Sequence, residues 1–199
     1  MRYFFALFIM IAFFGCSVKK TNYSGEYFRY MKNGKYALFN NKGVQLTDAL
    51  YSSSSYPSEG LIATQKGYLW GYLDRAGNEV IPFRYTRASN FKNGLAIVYI
   101  NRNKMGFIDK NATMVIPPKY EFARHFSEGY AAVQKDGKWG YIDKNNTALT
   151  EFKYDKAESF QNTKAKVWIQ KENQIFSGYI DTKGRENLKL TNLENYHYF

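Results

Sequence analysis

The chain is poor in the residues that carry chemistry. Among 199 residues there is one cysteine, Cys16, and two histidines, His125 and His197. A lone thiol cannot close an intramolecular disulfide. No cluster of histidine, cysteine and acid has the spacing of a metal site. Phosphate-cradling glycine loops and nucleophile elbows are absent. Proline is scarce, four residues against 15 glycines, which excludes collagen-like and proline-rich chains. Beyond the first 16 residues no stretch sustains a 3.6-residue apolar period, so helices are not expected. Acids are outnumbered, 17 against 28 basic residues, for a formal charge of +11.

Aromatic rings are abundant instead, at 18 Tyr, 16 Phe and 3 Trp, or 19% of the chain. Such residues suit pleated, half-buried strands. The positive field suits polyanions such as nucleic acid, anionic lipid or an acidic envelope polymer, and equally a lysine-solvated aromatic surface.

The N-terminus reads Met1-Arg2, an apolar run from Tyr3 to Phe14, then Gly15-Cys16. A basic start and roughly a dozen apolar residues match a secretory signal peptide. The run is too short for ~30 Å of hydrocarbon, which needs about 20 apolar residues. Phe13-Phe14-Gly15-Cys16 resembles a bacterial lipobox, with a small residue before the cysteine and Phe13 in place of the usual Leu. The resemblance implies a signal peptide over 1–15, a lipid on Cys16, and a tether over 16–30. It thus implies a bacterial cell-envelope protein held to the outer or cytoplasmic membrane. Loss of Arg2 leaves 27 basic and 17 acidic residues, a charge of +10.

The remainder repeats. Trp139-Gly140-Tyr141-Ile142-Asp143 has counterparts in Trp70-Gly71-Tyr72-Leu73-Asp74, Met105-Gly106-Phe107-Ile108-Asp109 and Gly178-Tyr179-Ile180-Asp181. A weaker copy is Tyr36-Ala37-Leu38-Phe39-Asn40. The anchors at 37, 71, 106, 140 and 178 step by 34, 35, 34 and 38. Other columns keep that offset: Tyr51, Tyr85, Tyr120 and Tyr154; Phe91, Phe126 and Phe160; Gly60, Gly94, Gly129 and Thr163. Such self-similarity is the signature of a repeat array. These motifs resemble the WG repeat family over 31–185, with 186–199 left as a C-terminal tail or cap. The resemblance implies tandem β units of bacterial proteins and no single molecular activity.

Each copy reads as three short strands, with turn chemistry at Asp74-Arg75-Ala76-Gly77 and its equivalents. The fold class is all-β, about five β-meander repeats in an open twisted array; the alternative is a small propeller-like closed ring. A propeller blade normally needs about 40–45 residues, more than this period supplies. Ile97, Ala132 and Lys166 share a slot that tolerates lysine and is expected to face solvent, with the neighbouring Ala and Val columns inward.

No catalytic set emerges, and no cofactor is expected. The recurrent Asp74, Asp109, Asp143 and Asp181 are expected to hold local backbone at turn starts. Two basic slots, Arg84, Lys119 and Lys153, and Arg75, Lys110 and Lys144, would align as stripes suited to an extended anion. Tyr72, Phe107 and Tyr141 share a face with Trp70, Trp139 and Tyr179; exposed, that face could stack on a ligand, and buried, it is inter-repeat core. The expected function is a non-catalytic envelope lipoprotein presenting a scaffold to a protein or acidic polymer. The alternatives are a nucleic-acid-binding module, against which export argues, and a cell-wall glycan hydrolase accessory, for which no carboxylate pair stands out.

Overall fold

The computed structural model describes residues 20–24, 27–101 and 104–191. The signal segment, Cys16 and His197 lie outside the described residues. Among the described residues there is no helix, and the strands form five successive units. The first unit holds β1 (Lys20–Ser24), β2 (Tyr27–Lys32) and β3 (Lys35–Asn40). The second holds β4 (Tyr51–Ser54), β5 (Ile62–Lys66), β6 (Leu69–Leu73) and β7 (Glu79–Tyr85). The third is β8 (Arg87–Ala88), β9 (Ala96–Asn101), β10 (Lys104–Ile108) and β11 (Met114–Tyr120). The fourth is β12 (Phe122–Ala123), β13 (Ala131–Lys135) and β14 (Lys138–Ile142). The fifth is β15 (Lys156–Ala157), β16 (Lys164–Lys171), β17 (Gln174–Asp181) and β18 (Glu186–Leu190).

Every pairing is antiparallel between chain neighbours, as in a meander. The repeat thus has a fourth short strand, seen in β8, β12 and β15, within what reads from sequence as a loop. Two residues are too few to show an alternation. Pairing also extends past the expected array limits, through β1 and β2 on one side and β18 on the other. Tyr27 is buried with Leu38, Tyr51, Ile62 and Leu73, so the core reaches into the segment before residue 31.

The recurrent glycine has a steric reason. Opposite Gly106, the register jumps from Met105↔Tyr120 to Phe107↔Ile116, so that three residues of β11 bulge over one residue of β10. The bulge runs so close that a Cβ on Gly106 would stand 2.5 Å from the Ile116 carbonyl oxygen. Gly71 repeats the arrangement under Ile81–Phe83, with 2.7 Å to the Ile81 carbonyl. Proline fits this stretch because the bulge removes regular ladder bonds.

The core lies between units. In the third unit Ile97, Phe107 and Ile116 align across β9, β10 and β11 on one face. They pack on Ala131, Val133 and Ile142 of the fourth unit. Ala96, Val98 and Ile108 point the other way, onto Ala63, Tyr72 and Ile81 of the second. The fourth unit likewise sets Ala132 and Tyr141 against Ala165, Val167 and Ile180 of the fifth. Every interior sheet is therefore buried on both faces. This corrects the expected solvent slot: Ile97 and Ala132 are buried, and Lys166 alone of the three is partly exposed, since among the described residues no further unit packs on the fifth. No strand pairing or hydrophobic cluster joins the first unit to the fifth among the described residues. The array is open, not a ring.

Loops stitch the units. Ser58 Oγ donates to the Phe91 carbonyl at 2.7 Å, Asn93 Nδ2 to that of Phe126 at 2.8 Å, and Ser127 Oγ to that of Phe160 at 2.7 Å. The Glu128 carboxylate accepts the Asn162 and Thr163 amides, each at 2.8 Å. At these loops the backbone is left-handed, with φ of 91°, 82° and 89° at Gly60, Gly94 and Gly129, and 64° at Thr163. A β-branched residue there is strained by about 1–2 kcal/mol. Thr163→Gly is therefore expected to stabilise the protein by about 1 kcal/mol after the glycine's larger unfolded-state entropy is deducted. The midpoint of urea unfolding would register the gain.

Candidate functional site

The bulge that crosses Gly71 and Gly106 carries the first basic slot. Each cation lies over the ring of the tyrosine beside it: Arg84 over Tyr85 at 5.2 Å, Lys119 over Tyr120 at 5.3 Å, and Lys153 over Tyr154 at 5.7 Å. Arg84, Tyr120, Lys153 and Tyr154 reach the next unit, while Lys119 keeps to its own tyrosine. Arg84 donates to the Ala112 carbonyl at 3.3 Å, and the Tyr120 hydroxyl donates to Asn146 Oδ1 at 2.6 Å. Lys153 pairs with Glu186 at 2.6 Å, and the Tyr154 hydroxyl donates to the same carboxylate at 2.7 Å. Burial alone would raise the Glu186 carboxyl, but Lys153 and Tyr154 together hold it below its ordinary value.

The second slot reaches backward. Lys110 Nζ donates to the Glu59 carbonyl at 3.0 Å and stands 3.2 Å from its carboxylate. Lys144 Nζ donates to the Asn93 carbonyl at 3.2 Å. The Arg75 carbonyl accepts the Tyr27 hydroxyl. Arg84, Lys153, Lys110 and Lys144 are thus junction fittings through their side chains, Arg75 takes part through its carbonyl, and Lys119 lies over Tyr120.

The expected aromatic face is core. Tyr72, Phe107 and Tyr141 are fully buried, so they cannot touch a partner; in these interior units the following sheet covers them. The Tyr72 hydroxyl donates to the Ser89 carbonyl and the Tyr141 hydroxyl to that of Glu158, both at 2.7 Å. Burial pushes both hydroxyls far above the ordinary tyrosine value. Trp70 and Trp139 are half-buried. Tyr179, the same position in the fifth unit, is 51% exposed.

The turn aspartates act locally. Each of Asp74, Asp109, Asp143 and Asp181 accepts through Oδ1 from the amides two and four residues later. His125 is held below its ordinary pKa by burial and then by Lys92, so the ring is neutral at pH 7. Among the described residues no group of three histidines, cysteines or acids could hold a metal ion.

Sequence reasoning missed the outward face of the fifth unit. There Lys166, Tyr179 and Asn187 align across β16, β17 and β18, and Lys156, Trp168, Ser177 and Lys189 form the adjacent row. Lys156 and Lys166 each lie 4.9 Å from the Trp168 ring, which is 8% exposed. The signal was present in the columns: Leu61, Leu95 and Tyr130 become Lys164, and Ala63, Ile97 and Ala132 become Lys166.

The WG containing repeat is found at residues 70–104, 105–139 and 139–173, which spans the recurrent glycines and the loops between them. The chain belongs to the WG repeat family. No curated protein matches its sequence. Among solved structures it is similar to a eukaryotic initiation factor at 12% identity and a TM-score of 0.57, over 82% of this chain and 50% of that one. It is also similar to Hsv2 of Kluyveromyces lactis, at 11% identity and a TM-score of 0.48, over 89% of this chain and 73% of that one. A third likeness is PorZ of Porphyromonas gingivalis, a bacterial surface component of the type-IX secretion system, at 12% identity and a TM-score of 0.45, over 87% and 28%. The WG chain spans half the length of the initiation factor. At such identity the first likeness concerns the fold alone, and the other two add nothing to it.

Proposed function

We propose that this WG repeat protein is a non-catalytic cell-envelope lipoprotein whose array serves as a binding scaffold. One observation carries the reading: the side chains able to do chemistry are engaged in holding the array. The four turn aspartates accept their own backbone, four of the six slot cations (Arg84, Lys153, Lys110 and Lys144) fasten junctions, and Tyr72 and Tyr141 bond loop carbonyls across the core. What this leaves for a partner is a stiff, lysine-rich exterior. The leader supports the address: a short apolar run followed by Gly15-Cys16 suits export and lipidation, and acyl chains contribute about 0.8 kcal/mol per buried methylene to membrane binding.

Expression in a bacterium with labelled palmitate tests this. Label on the wild-type chain in the membrane fraction, absent from Cys16→Ser, is the expected result. Unlabelled wild-type chain in the cytosol would remove the envelope reading. Turnover of wall material by the purified protein would remove the non-catalytic one.

A further inference from the structure

Among the described residues, the outward face of the fifth unit is the one sheet face of this unit that no neighbouring unit covers. We propose that it is the docking surface for an extended acidic polysaccharide, held by Lys156, Lys164, Lys166 and Lys189 around Trp168 and Tyr179. The assignment rests on the scaffold reading above and names its partner.

Four observations carry it. First, the face departs from its own repeat pattern in one direction. Where interior units place Leu61, Leu95 and Tyr130, the fifth places Lys164; where they place Ala63, Ile97 and Ala132, it places Lys166. Ile81 and Ile116, which pair with Tyr72 and Phe107, give way to Asn187, which pairs with Tyr179. A polar outer face is what an end repeat needs for solubility, but solubility would be met by mixed charge, and here both charged replacements, Lys164 and Lys166, are cations, with Lys156 and Lys189 beside them.

Second, none of these four lysines forms an ion pair among the described residues, whereas Lys104, Lys110, Lys138 and Lys153 elsewhere do. Asp181, the acid opposite Lys164 on this face, is held by Arg185 at 2.7 Å. The face therefore presents unneutralised positive charge, which is complementary to a polyanion.

Third, the cations are lysines and none is arginine. Lysine is a compact point charge without the planar fork that reads carboxylate or phosphate bidentately. Protein interfaces are enriched in arginine and depleted in lysine. The set suits charge spread along a polymer better than a docked acidic protein.

Fourth, Trp168 is buried with Lys156 and Lys166 each 4.9 Å from its ring, and among the described residues Tyr179 is the exposed ring on the face. Sequential base stacking needs a series of open rings, and membrane insertion needs exposed apolar side chains. A lysine-studded sheet with one open ring among its described residues satisfies neither and fits a chain of charged sugars.

The test is calorimetric titration of the full chain, in detergent, with polygalacturonate at low ionic strength. Binding is expected, with an affinity that falls steeply as salt is added. The triple variant Lys164→Gln/Lys166→Gln/Lys189→Gln should lose about tenfold or more in affinity. Lys42→Gln/Lys92→Gln/Lys135→Gln, which removes equal charge from exposed positions elsewhere, should lose less than about twofold. Unchanged urea midpoints for both variants show that folding is not the cause. Equal losses in the two variants would overturn the assignment, since net charge alone would then account for binding. So would tighter binding to oligothymidine, or binding to phosphatidylglycerol vesicles without binding to the polymer. The palmitate result at Cys16 is independent of all of these, so a failure here leaves the address of the protein standing.

Discussion

Phe107→Ala is expected to destabilise the protein by about 3–5 kcal/mol, the usual cost of emptying a buried phenylalanine site. Phe107 is fully buried and meets Phe126 edge-on at 5.0 Å between ring centroids. Its cluster draws Ile97 and Ile116 from one unit and Ala131, Val133 and Ile142 from the next. Truncation therefore opens a void at a junction, and neither sheet can collapse into it without disturbing the other. The same substitution at the same repeat position of the fifth unit has a different expected outcome. Tyr179→Ala should cost about 1 kcal/mol or less, because half of that ring is already in water. Urea midpoints at unchanged slope measure both. Similar losses at the two positions would mean that the fifth unit is covered like the others.

The second large effect concerns the glycine of the motif. Gly106→Ala is expected to cost about 2–3 kcal/mol through overpacking. Its Cβ would stand 2.5 Å from the Ile116 carbonyl oxygen and 2.9 Å from the Pro118 nitrogen. Both are backbone atoms in a bulge fixed by pairing on each side, at Met105↔Tyr120 and Phe107↔Ile116. Gly140→Ala, at the equivalent position, should cost less than about 1 kcal/mol. There the nearest atoms are Phe152 Cδ1 at 3.1 Å and the Glu151 carbonyl oxygen at 3.2 Å, several tenths of an ångström farther than the backbone at Gly106. Two alanine substitutions in one repeat column thus separate the steric account from a general glycine requirement. Equal costs would show that the bulge is not what the glycine accommodates.

The sequence disclosed what is local or periodic. Gly94 and Gly129 mark left-handed turns, Asp74 and its counterparts start backbone-capped turns, and the 34-residue step sets the units in register. The two-residue strands β8, β12 and β15 were illegible because Arg87–Ala88 and its equivalents are too short for any alternation. Period-2 reasoning also failed at Ile97, Ala132 and Lys166. It assumes one wet face per sheet, whereas a sheet between two others has none, and the lysine lies on the outward face of the last described unit rather than on a solvent stripe. The cation slots misled for a related reason. Arg84 and Lys110 find their partners 28 and 51 residues away, in adjoining units, and a single repeat read alone contains no trace of that contact. The outward lysines could have been read as a set by asking which unit departs from its columns, because Lys164 and Lys166 replace apolar residues in register.

The open end of the array is tested most directly by mapping tyrosine nitration on the folded protein by mass spectrometry. Tyr72 and Tyr141 should remain unmodified, while Tyr179, at the same repeat position, should react, as should Tyr68, which is 92% exposed. Protection of Tyr179 equal to that of Tyr72 and Tyr141 would contradict the account, because some further element would then cover the face on which the array is held to end.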